Sequence, residues 1–324
     1  MSILGFFKGN GKSGFGYNST AVDVTNGLDL SGRTLLVTGC NAGLGQETLR
    51  VLCVRGARVI GAARTLDKAA AACALVPGKA LPVACDLSEP MSIRAAVAGV
   101  KQMGYALDAI IANAGIMAPP TLQQKYGYEL QFFTNHVGHH LLITGLLDQL
   151  ADNGRIVMLS SSLHSRAPRD GIEFDNLSGE KGYAAWSAYG QSKLANLLFA
   201  RCLATRLPQP GQTANAVHPG VIVTHLQRHL GAGVRAAFSV IEPLLLKSVA
   251  QGAATQCYVA VHPAAASICG EYFADCNVAE TSANAQDTAL ANQLWEKTEQ
   301  IIARLPQMLA PLPVAPRKIY EKRV

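Results

Sequence analysis

Two side chains in the stretch AYGQSKLANLL (residues 188–198) could carry out acid–base chemistry together: the phenol of Tyr189 and the ammonium of Lys193. On a helix, residues four apart share one face, with a rise of roughly 6 Å between them. A unit charge ~4 Å from a phenol is worth up to ~4 kcal/mol at an effective dielectric constant near 20, enough to lower its pKa from ~10 towards neutrality. The pair is therefore a candidate proton donor, although a half-exposed helix with a solvated lysine gives the same pattern.

A glycine-rich turn is the second candidate site. In VTGCNAGLGQ (residues 37–46), Gly39, Gly43 and Gly45 follow a short apolar strand and open a helix. Glycine lets the backbone approach a pyrophosphate that rests on the helix N-terminus; a merely flexible turn is the alternative. The earlier stretch GNGKSG resembles a P-loop, but that motif requires a glycine where this chain has Phe6. We therefore expect dinucleotide binding at the later turn.

The elements around these motifs follow a regular alternation from residue 33 onwards. Helical segments separate seven short strands: RTLLVTG, ARVIGAAR, LPVACDLS, LDAIIANAG, GRIVMLSS, TANAVHPG and GEYFADC. Strands that are apolar on both faces are typical of a parallel sheet covered by helices on each side. The sequence predicts an α/β protein with a single Rossmann-type, doubly wound parallel sheet of about seven strands, flanked by helices on both faces.

No internal repeat or long linker divides the chain. We expect a Gly-rich N-terminal arm over residues 1–30, a catalytic domain over 31–280, and a C-terminal helix with a Pro-rich basic tail over 281–324. Within the catalytic domain, residues 221–248 are expected to form a substrate lid, and the insert at 163–186 a rim over the site. The later part of the lid is strongly apolar, which favours a lipophilic substrate; a core helix is the alternative.

The composition limits the classes of function. Of the 324 residues, 49% are apolar and 15% charged, so a large core can form. The net charge of +6 comes partly from the C-terminal tail, and no basic stripe predicts nucleic-acid binding. No apolar run reaches the roughly 18 residues of a membrane span. The eight cysteines lack Cys-x-x-Cys spacing and no signal peptide is recognisable, which predicts a cytoplasmic protein with reduced thiols.

Taken together, the motifs resemble those of the short-chain dehydrogenase/reductase family over about residues 30–275. They are the glycine-rich turn, Asn113-Ala114-Gly115, Asn135, a serine pair closing the fifth strand, Tyr189-x-x-x-Lys193 and Pro219-Gly220. The stretches TNHVGHHLL, NLSGEKGY and AYGQSKLANLLFA are closest to the retinol-dehydrogenase-like branch. The resemblance implies an oxidoreductase that transfers a hydride between a nicotinamide and a carbonyl or alcohol carbon.

The resemblance also implies the catalytic roles. Tyr189 is the general acid in carbonyl reduction and the base in alcohol oxidation. Lys193 lowers the pKa of Tyr189 and hydrogen-bonds the nicotinamide ribose. Asn135 holds a water that passes protons from solvent. Ser161 is the second serine after the strand and hydrogen-bonds the substrate oxygen, although Ser160 and Ser162 flank it.

Cofactor choice depends on the end of the second strand. An NAD enzyme usually has a carboxylate there, whereas this chain has Arg64, which can pair with a 2′-phosphate. We therefore expect NADP(H), with a solvated surface arginine as the alternative. The resemblance assigns Asp86 to the adenine edge and Pro219, Ile222 and Thr224 to the carboxamide. The full set of expected cofactor-binding residues is Gly39, Asn41, Gly43, Leu44, Gly45, Arg64, Asp86, Leu87, Asn113, Ala114, Gly115, Tyr189, Lys193, Pro219, Ile222 and Thr224.

The leading interpretation is an NADP(H)-dependent carbonyl reductase or alcohol dehydrogenase acting on a lipophilic small molecule. The alternatives are a C=C reductase of the protochlorophyllide-reductase kind and a non-catalytic NADP(H)-sensing protein. A homodimer or homotetramer is expected if the helices near 126–150 and 185–205 pair as in the family. No metal site is expected, because His136, His139 and His140 lack a carboxylate or cysteine nearby in sequence. His164 is a candidate for facing the substrate, and His218 for shaping the cofactor loop.

Overall fold

A computed structural model of the protein describes residues 9–222 and 247–305. Within these ranges the sheet-forming and hairpin strands are β1 (Thr34–Thr38), β2 (Arg58–Ala63), β3 (Lys79–Ala84), β4 (Leu107–Ala112), β5 (Gln124–Lys125), β6 (Tyr128–Glu129), β7 (Leu150–Leu159), β8 (Thr213–His218), β9 (Tyr272–Ala274) and β10 (Asn277–Val278). The α-helices are α1 (Ala21–Val24), α2 (Gly43–Val54), α3 (Leu66–Ala74), α4 (Pro90–Gln102), α5 (Leu130–Phe132), α6 (Gly138–Leu146), α7 (Ala185–Ala204), α8 (Val249–Gly252), α9 (Ala254–Val261), α10 (Ala283–Gln286) and α11 (Thr288–Ala303).

The main sheet has eight strands in the order β10-β9-β8-β7-β4-β1-β2-β3. Seven of them are parallel, as in the register Leu36 to Ile60 between β1 and β2, and only β10 runs antiparallel to its neighbour. The predicted doubly wound α/β fold is confirmed, and the strand count differs by the short β10. The order reverses between β1 and β4, so the carboxyl ends of these two strands flank the crevice where such folds bind ligands.

Both faces of the sheet are buried, which explains the continuous apolar character of its strands. Along β1, Leu35 and Val37 belong to one buried cluster with α2 and α9, whereas Leu36 belongs to another with α4 and α7. Successive side chains of a strand point to opposite faces, so each strand contributes to both clusters. Hydrophobic burial on two sides therefore fixes the positions of the strand ends that form the site.

The long helix predicted over 126–150 begins later, because residues 124–129 form the hairpin β5–β6. Between α5 and α6 the helix widens into a π-turn over Phe133–Val137. A π-turn inserts one extra residue into a helix and is frequent at functional sites. Here it contains Asn135, one of the predicted catalytic residues.

Segments near both ends of the described part of the chain pack onto the rest of the domain. Near the N-terminus, the Phe15 ring packs edge-on against Tyr258 of α9, at 5.7 Å between centroids. Near the C-terminus, Trp295 of α11 stacks on Phe199 of α7 at 5.6 Å. Among the residues described, no helix is both long and apolar enough to cross a membrane.

Candidate active site

Helix α7 carries the predicted acid and its neighbouring cation. The side chains of Tyr189 and Lys193 are both buried on this helix, 8% and 3% exposed. The Ser161 side chain lies beside the Tyr189 hydroxyl, near enough to lower the pKa of the phenol, and both residues line the same cavity. The Lys193 ammonium donates to the Leu159 carbonyl oxygen at 3.0 Å and lies 5.7 Å from the centroid of the Tyr189 ring. The structure thus brings a phenol, a serine hydroxyl and an ammonium into one site.

Burial dominates the protonation of both groups. It raises the pKa of Tyr189 to about 12, and the neighbouring Ser161 side chain opposes this only in part. Burial also lowers the pKa of Lys193 to about 8. In the protein by itself, burial outweighs any lowering of the Tyr189 pKa, because it removes the phenolate from water; the lowering by Lys193 stays a prediction. At neutral pH the phenol carries its proton and is ready to donate it.

The serines at the end of β7 have different surroundings. The Ser160 hydroxyl donates to the Lys193 carbonyl oxygen at 2.7 Å and is thereby turned towards α7. The Ser162 side chain is exposed. The Ser161 hydroxyl contacts Tyr189 and accepts a hydrogen bond from the Leu163 amide at 3.1 Å. Of the three serines, Ser161 is the one that faces the phenol, as the family pattern implies.

Asn135 connects three parts of the site. Its side-chain oxygen accepts from the Ile116 amide at 2.8 Å, and its amide nitrogen donates to the Ile116 carbonyl and to the Ser192 hydroxyl, both at 3.0 Å. Its backbone oxygen contacts His139 Nδ1 at 2.8 Å. The side-chain amide therefore ties the loop after β4 to helix α7 between Tyr189 and Lys193. Sequence reasoning missed Ser192 and Ile116, because pairing across 57 and 19 residues has no local signal.

The glycine-rich turn has room only for backbone. Gly39 and Gly43 adopt positive φ angles of 69° and 53°. A Cβ on Gly45 would lie 2.1 Å from the Gly39 carbonyl oxygen, so no other residue fits there. Helix α2 begins here with no side-chain cap, which leaves its first amide groups for a ligand. The turn over residues 39–45 and the N-terminus of α2, together called the glycine cradle, fit the pyrophosphate of a dinucleotide.

The other predicted cofactor residues lie at the same edge of the sheet, with some differences. Arg64 directly follows β2 and is exposed. The Asp86 carboxylate accepts from the Ser88 amide and hydroxyl, at 3.0 and 2.7 Å. Leu87 is 5% exposed and packs against Gly138, so its side chain belongs to the core and only its backbone could reach a cofactor. Thr224 lies outside the described residues, as does most of the lid predicted over 221–248.

Near the strand ends, Asn113 fixes the turn that follows β1. Its amide donates to the Thr38 carbonyl oxygen at 2.8 Å, and the Ala114 amide donates to the Thr38 hydroxyl at 2.9 Å. The Thr38 hydroxyl in turn lies 2.9 Å from His139 Nε2. Burial lowers the pKa of His139 to about 4, so this ring is neutral at neutral pH and serves as a hydrogen-bonding link.

A cavity of about 370 Å³ joins the cradle to the Tyr189 site, and its surface is mostly apolar. The predicted insert contributes Arg166 and Trp186 to it, in agreement with a rim position. The lining residues are Leu44, Asn113, Gly115, Ile116, Met117, Leu159, Ser160, Ser161, Ser162, Leu163, Arg166, Trp186, Tyr189, Lys193, His218, Pro219, Gly220, Val221 and Ile222. A substrate held in it would lie beside the phenol.

Four other histidines named in the sequence analysis make contacts within the fold. His136 and His140 are buried and contact Thr298 and Glu299 of α11 at 3.0 and 2.5 Å. His164 does not line the cavity: its Nδ1 contacts the Ser161 carbonyl and its Nε2 accepts from the Ser282 amide. His218 does line it and accepts from the Ser162 amide at 3.2 Å. Among residues 9–222 and 247–305, no cluster of ligating side chains could hold a metal ion.

Comparison with known protein families agrees with the geometry of this site. The sequence model of the short chain dehydrogenase family matches residues 33–234, more than half of the chain. The chain belongs to the short-chain dehydrogenase family. The family prediction is confirmed, and with it an oxidoreductase class that uses a nicotinamide cofactor.

Two similar sequences extend over most of this short-chain dehydrogenase. It is 41% identical to "Short-chain dehydrogenase TIC 32 A, chloroplastic" of Brassica napus, over 94% of this chain and 100% of that protein. It is 36% identical to retinol dehydrogenase 14 of Homo sapiens, over 85% of this chain and 88% of that protein. The second match agrees with the retinol-dehydrogenase-like branch expected from the sequence.

Solved structures with the same fold include two with substantial coverage. An uncharacterized protein from Mycobacterium paratuberculosis has a TM-score of 0.69 and 30% identity, covering 88% of this chain and 98% of that one. A short chain dehydrogenase from Burkholderia cenocepacia, solved in complex with NADP, has a TM-score of 0.60 and 26% identity, covering 75% and 96%. The fold of this short-chain dehydrogenase is therefore shared with a protein that binds NADP.

Proposed function

We propose that the protein is an NADP(H)-dependent oxidoreductase that interconverts a lipophilic carbonyl compound and its alcohol, with Tyr189 as the proton donor and acceptor. The observation that carries the proposal is the contact between the Tyr189 and Ser161 hydroxyls at the wall of an apolar cavity that also reaches the glycine cradle. A carbonyl oxygen placed between those two hydroxyls accepts two hydrogen bonds. This arrangement polarises the carbonyl and supplies its proton.

Four residues of the chain have separate roles in the proposed reaction. Ser161 orients the substrate oxygen, and Tyr189 transfers its phenolic proton to that oxygen in reduction or removes it in oxidation. Lys193 holds a positive charge near the phenol, which favours the phenolate left after transfer. Asn135 fixes Ser192 and the Ile116 backbone, and so maintains the distance between α7 and the cavity wall. The bound nicotinamide supplies or accepts the hydride.

The preference for NADP(H) is supported by Arg64. It stands immediately after β2, where a carboxylate would hold the ribose diol of NAD, and its side chain is exposed to a ligand at that edge. Its guanidinium can pair with a 2′-phosphate through two hydrogen bonds. The NADP complex of the related Burkholderia cenocepacia dehydrogenase is compatible with this preference.

The substrate class is inferred from the cavity wall. Leu44, Met117 and Leu163 are among its apolar residues, and Trp186 stands at the rim with its ring edge-on to Tyr189, 6.4 Å between centroids. Apolar side chains at these positions stabilise a lipophilic substrate by burying its surface. Extended apolar aldehydes and ketones fit this description.

The proposal is tested by following NADPH oxidation with a panel of aldehydes, ketones, quinones and enones. We expect turnover of apolar aldehydes or ketones, with the alcohol as product. Reduction of only the C=C bond of enones would instead favour the C=C reductase. Binding of NADPH without turnover of any compound in the panel would favour the non-catalytic sensor.

A further inference from the structure

Lys247 is a buried lysine outside the Tyr189 site. Its side chain is 1% exposed, and its ammonium lies 2.6 Å from the Asp275 carboxylate, which is 26% exposed. The same ammonium lies 4.9 Å from the centroid of the Tyr17 ring. A buried ammonium is costly unless it is paired, and here a carboxylate and the face of an aromatic ring surround it. Neither the family motifs nor the catalytic chemistry accounts for this arrangement.

The backbone and methylenes of Lys247 support the turn that follows β8. The Lys247 amide donates to the Val221 carbonyl oxygen at 2.9 Å, and Ile222 and Lys247 form a parallel β-bridge. A Cβ on Gly220, which has a φ of 95°, would lie 2.6 Å from Lys247 Cδ. The segment Pro219–Ile222 therefore lies directly on the Lys247 side chain, while its other side lines the cavity.

Ile222 connects this support to the glycine cradle. A Cβ on Gly252 would lie 2.3 Å from Ile222 Cδ1 and 2.7 Å from Leu44 Cδ2, so both side chains pack on helix α8 at Gly252. Leu44 belongs to the glycine-rich turn. A displacement of Ile222 would therefore be transmitted by packing to the backbone that forms the nucleotide cradle.

The other end of the ion pair is anchored in the turn between β9 and β10. Asp275 and Cys276 both have positive φ angles, 50° and 62°, which few non-glycine residues adopt. Asn277 holds this turn: its amide donates to the Asp275 carbonyl at 2.7 Å and to the Phe15 carbonyl at 3.0 Å. The N-terminal segment that contains Tyr17 is thus fastened to the same turn as Asp275.

We propose that the Lys247–Asp275 ion pair, covered by Tyr17, is a positioning device that holds Pro219–Ile222 against the cofactor site. Through it, cofactor affinity depends on the N-terminal segment and on the β9–β10 turn, neither of which is among the cavity-lining residues. Lys247 is a positioning residue and takes no part in proton transfer. The expected effect on NADPH affinity rests on the proposed function. The contacts of Lys247 with Asp275, Tyr17 and Pro219–Ile222 do not depend on it.

The first experiment needs no cofactor. Backbone amide hydrogen exchange is measured in the full chain for wild type, Lys247→Met and a control, Lys101→Met, which removes the exposed ion pair of Lys101 with Asp148. We expect faster exchange in peptides that cover residues 216–222 and 247–252 in Lys247→Met only. Unchanged exchange there would overturn the proposed support of the turn.

The second experiment separates positioning from stability. Lys247→Met should weaken NADPH binding about tenfold and raise the KM for NADPH, with kcat at saturating NADPH changed less than twofold. Tyr17→Leu should act in the same direction with a smaller change. Thermal stability should fall in Lys247→Met, because the ion pair between Lys247 and Asp275 is lost, and recover in the double variant Lys247→Met/Asp275→Asn. NADPH affinity should stay low in that double variant.

These experiments distinguish a failure of the positioning proposal from a failure of the proposed function. If affinity recovers together with stability in the double variant, Lys247 has a merely structural role and the proposal is overturned. If every variant binds NADPH as tightly as wild type, the proposal is likewise overturned. If wild type itself does not bind NADPH in direct titration, the proposed function fails, and the exchange experiment alone decides whether the ion pair supports the turn.

Discussion

The Lys193 ammonium donates a hydrogen bond of 3.0 Å to the Leu159 carbonyl oxygen, at the end of β7. The same oxygen accepts a second bond of 3.0 Å from the Asn196 amide, one turn further along α7. These two bonds fix the catalytic helix to the strand that ends two residues before Ser161. Within residues 9–222 and 247–305 no carboxylate forms an ion pair with this lysine, whose ammonium is held by a backbone oxygen.

This relationship predicts that Lys193 lowers the stability of the folded protein. Its pKa is lowered from the ordinary value of 10.5 to about 8 by burial, so the folded state disfavours the charged form. Below pH 8 the full destabilisation by the buried Lys193 ammonium is present. From pH 8 to 10.5 the stability of the folded protein rises, because Lys193 loses its proton in the folded state before it does so in the unfolded state. Lys193→Met should therefore raise the free energy of unfolding at pH 7 by up to ~3 kcal/mol while abolishing activity.

The measurement for Lys193→Met is urea unfolding of both proteins at pH 7 and at pH 9.5. The free energy of unfolding of the variant should exceed that of wild type by more at pH 7 than at pH 9.5. The Leu159 carbonyl remains hydrogen-bonded by Asn196 in the variant, so no unpaired acceptor obscures the result. A variant that is less stable than wild type at pH 7 would contradict the argument from burial.

Arg64 is predicted to select the cofactor. A charge-assisted hydrogen bond to the 2′-phosphate is worth roughly 1.5–3 kcal/mol, so Arg64→Ala should weaken NADPH binding about ten- to a hundredfold. NADH binding should barely change. Titration of both cofactors into the variant, with the exposed Arg304→Ala as control, measures this. Equal losses for the two cofactors, or a wild type that prefers NADH, would show that Arg64 is an ordinary surface arginine.

Gly45 is predicted to be essential for the nucleotide cradle. In Gly45→Ala the new methyl would meet the Gly39 oxygen at 2.1 Å and the Asn113 amide at 2.6 Å, and the turn would have to move. We expect at least ~tenfold weaker NADPH binding. The matched control is Gly99→Ala in helix α4, where the new methyl would meet no described atom within 4 Å outside the neighbouring helix backbone, and alanine should stabilise the helix by up to ~1 kcal/mol. Similar NADPH affinities in the two variants would argue against the cradle.

The apolar cavity predicts a dependence on substrate chain length. In a series of straight-chain aldehydes with NADPH in excess, each buried methylene should add ~0.8 kcal/mol, or about a fourfold gain in kcat/KM. The gain should stop once the cavity of about 370 Å³ is full. Trp186→Ala should reduce the gain for the longer members, which reach the rim. A profile that is flat from the shortest aldehyde would refute a lipophilic site.

The sequence was sufficient to predict the parallel sheet and the edge where the site lies. Alternating strands and helices, together with the glycine-rich turn after β1, determine that edge, because parallel strands end on the same side of a sheet. The strand β10 and the hairpin β5–β6 were missed, since each has only two residues per strand and no detectable periodicity.

The protonation of Tyr189 could not be predicted from Tyr189-x-x-x-Lys193. The spacing gives the charge beside the phenol, but the pKa of about 12 reflects burial by segments far apart in sequence. The Lys247–Asp275 pair was missed for the same reason, because its partners are separated by 28 residues and meet Tyr17 only in the folded chain. Local spacing predicts which chemistry is available, and the fold determines which protonation state is favoured.

The central claim is that the Tyr189 phenol supplies the proton in carbonyl reduction. Its most direct test is kcat for an apolar aldehyde in Tyr189→Phe, alongside NADPH titration and a Tyr105→Phe control. Since Phe keeps the ring and removes only the hydroxyl, we expect kcat to fall at least ~10²-fold with NADPH affinity nearly unchanged. A Tyr189→Phe enzyme that keeps more than about half of the wild-type kcat, instead of losing at least ~10²-fold, would contradict the mechanism.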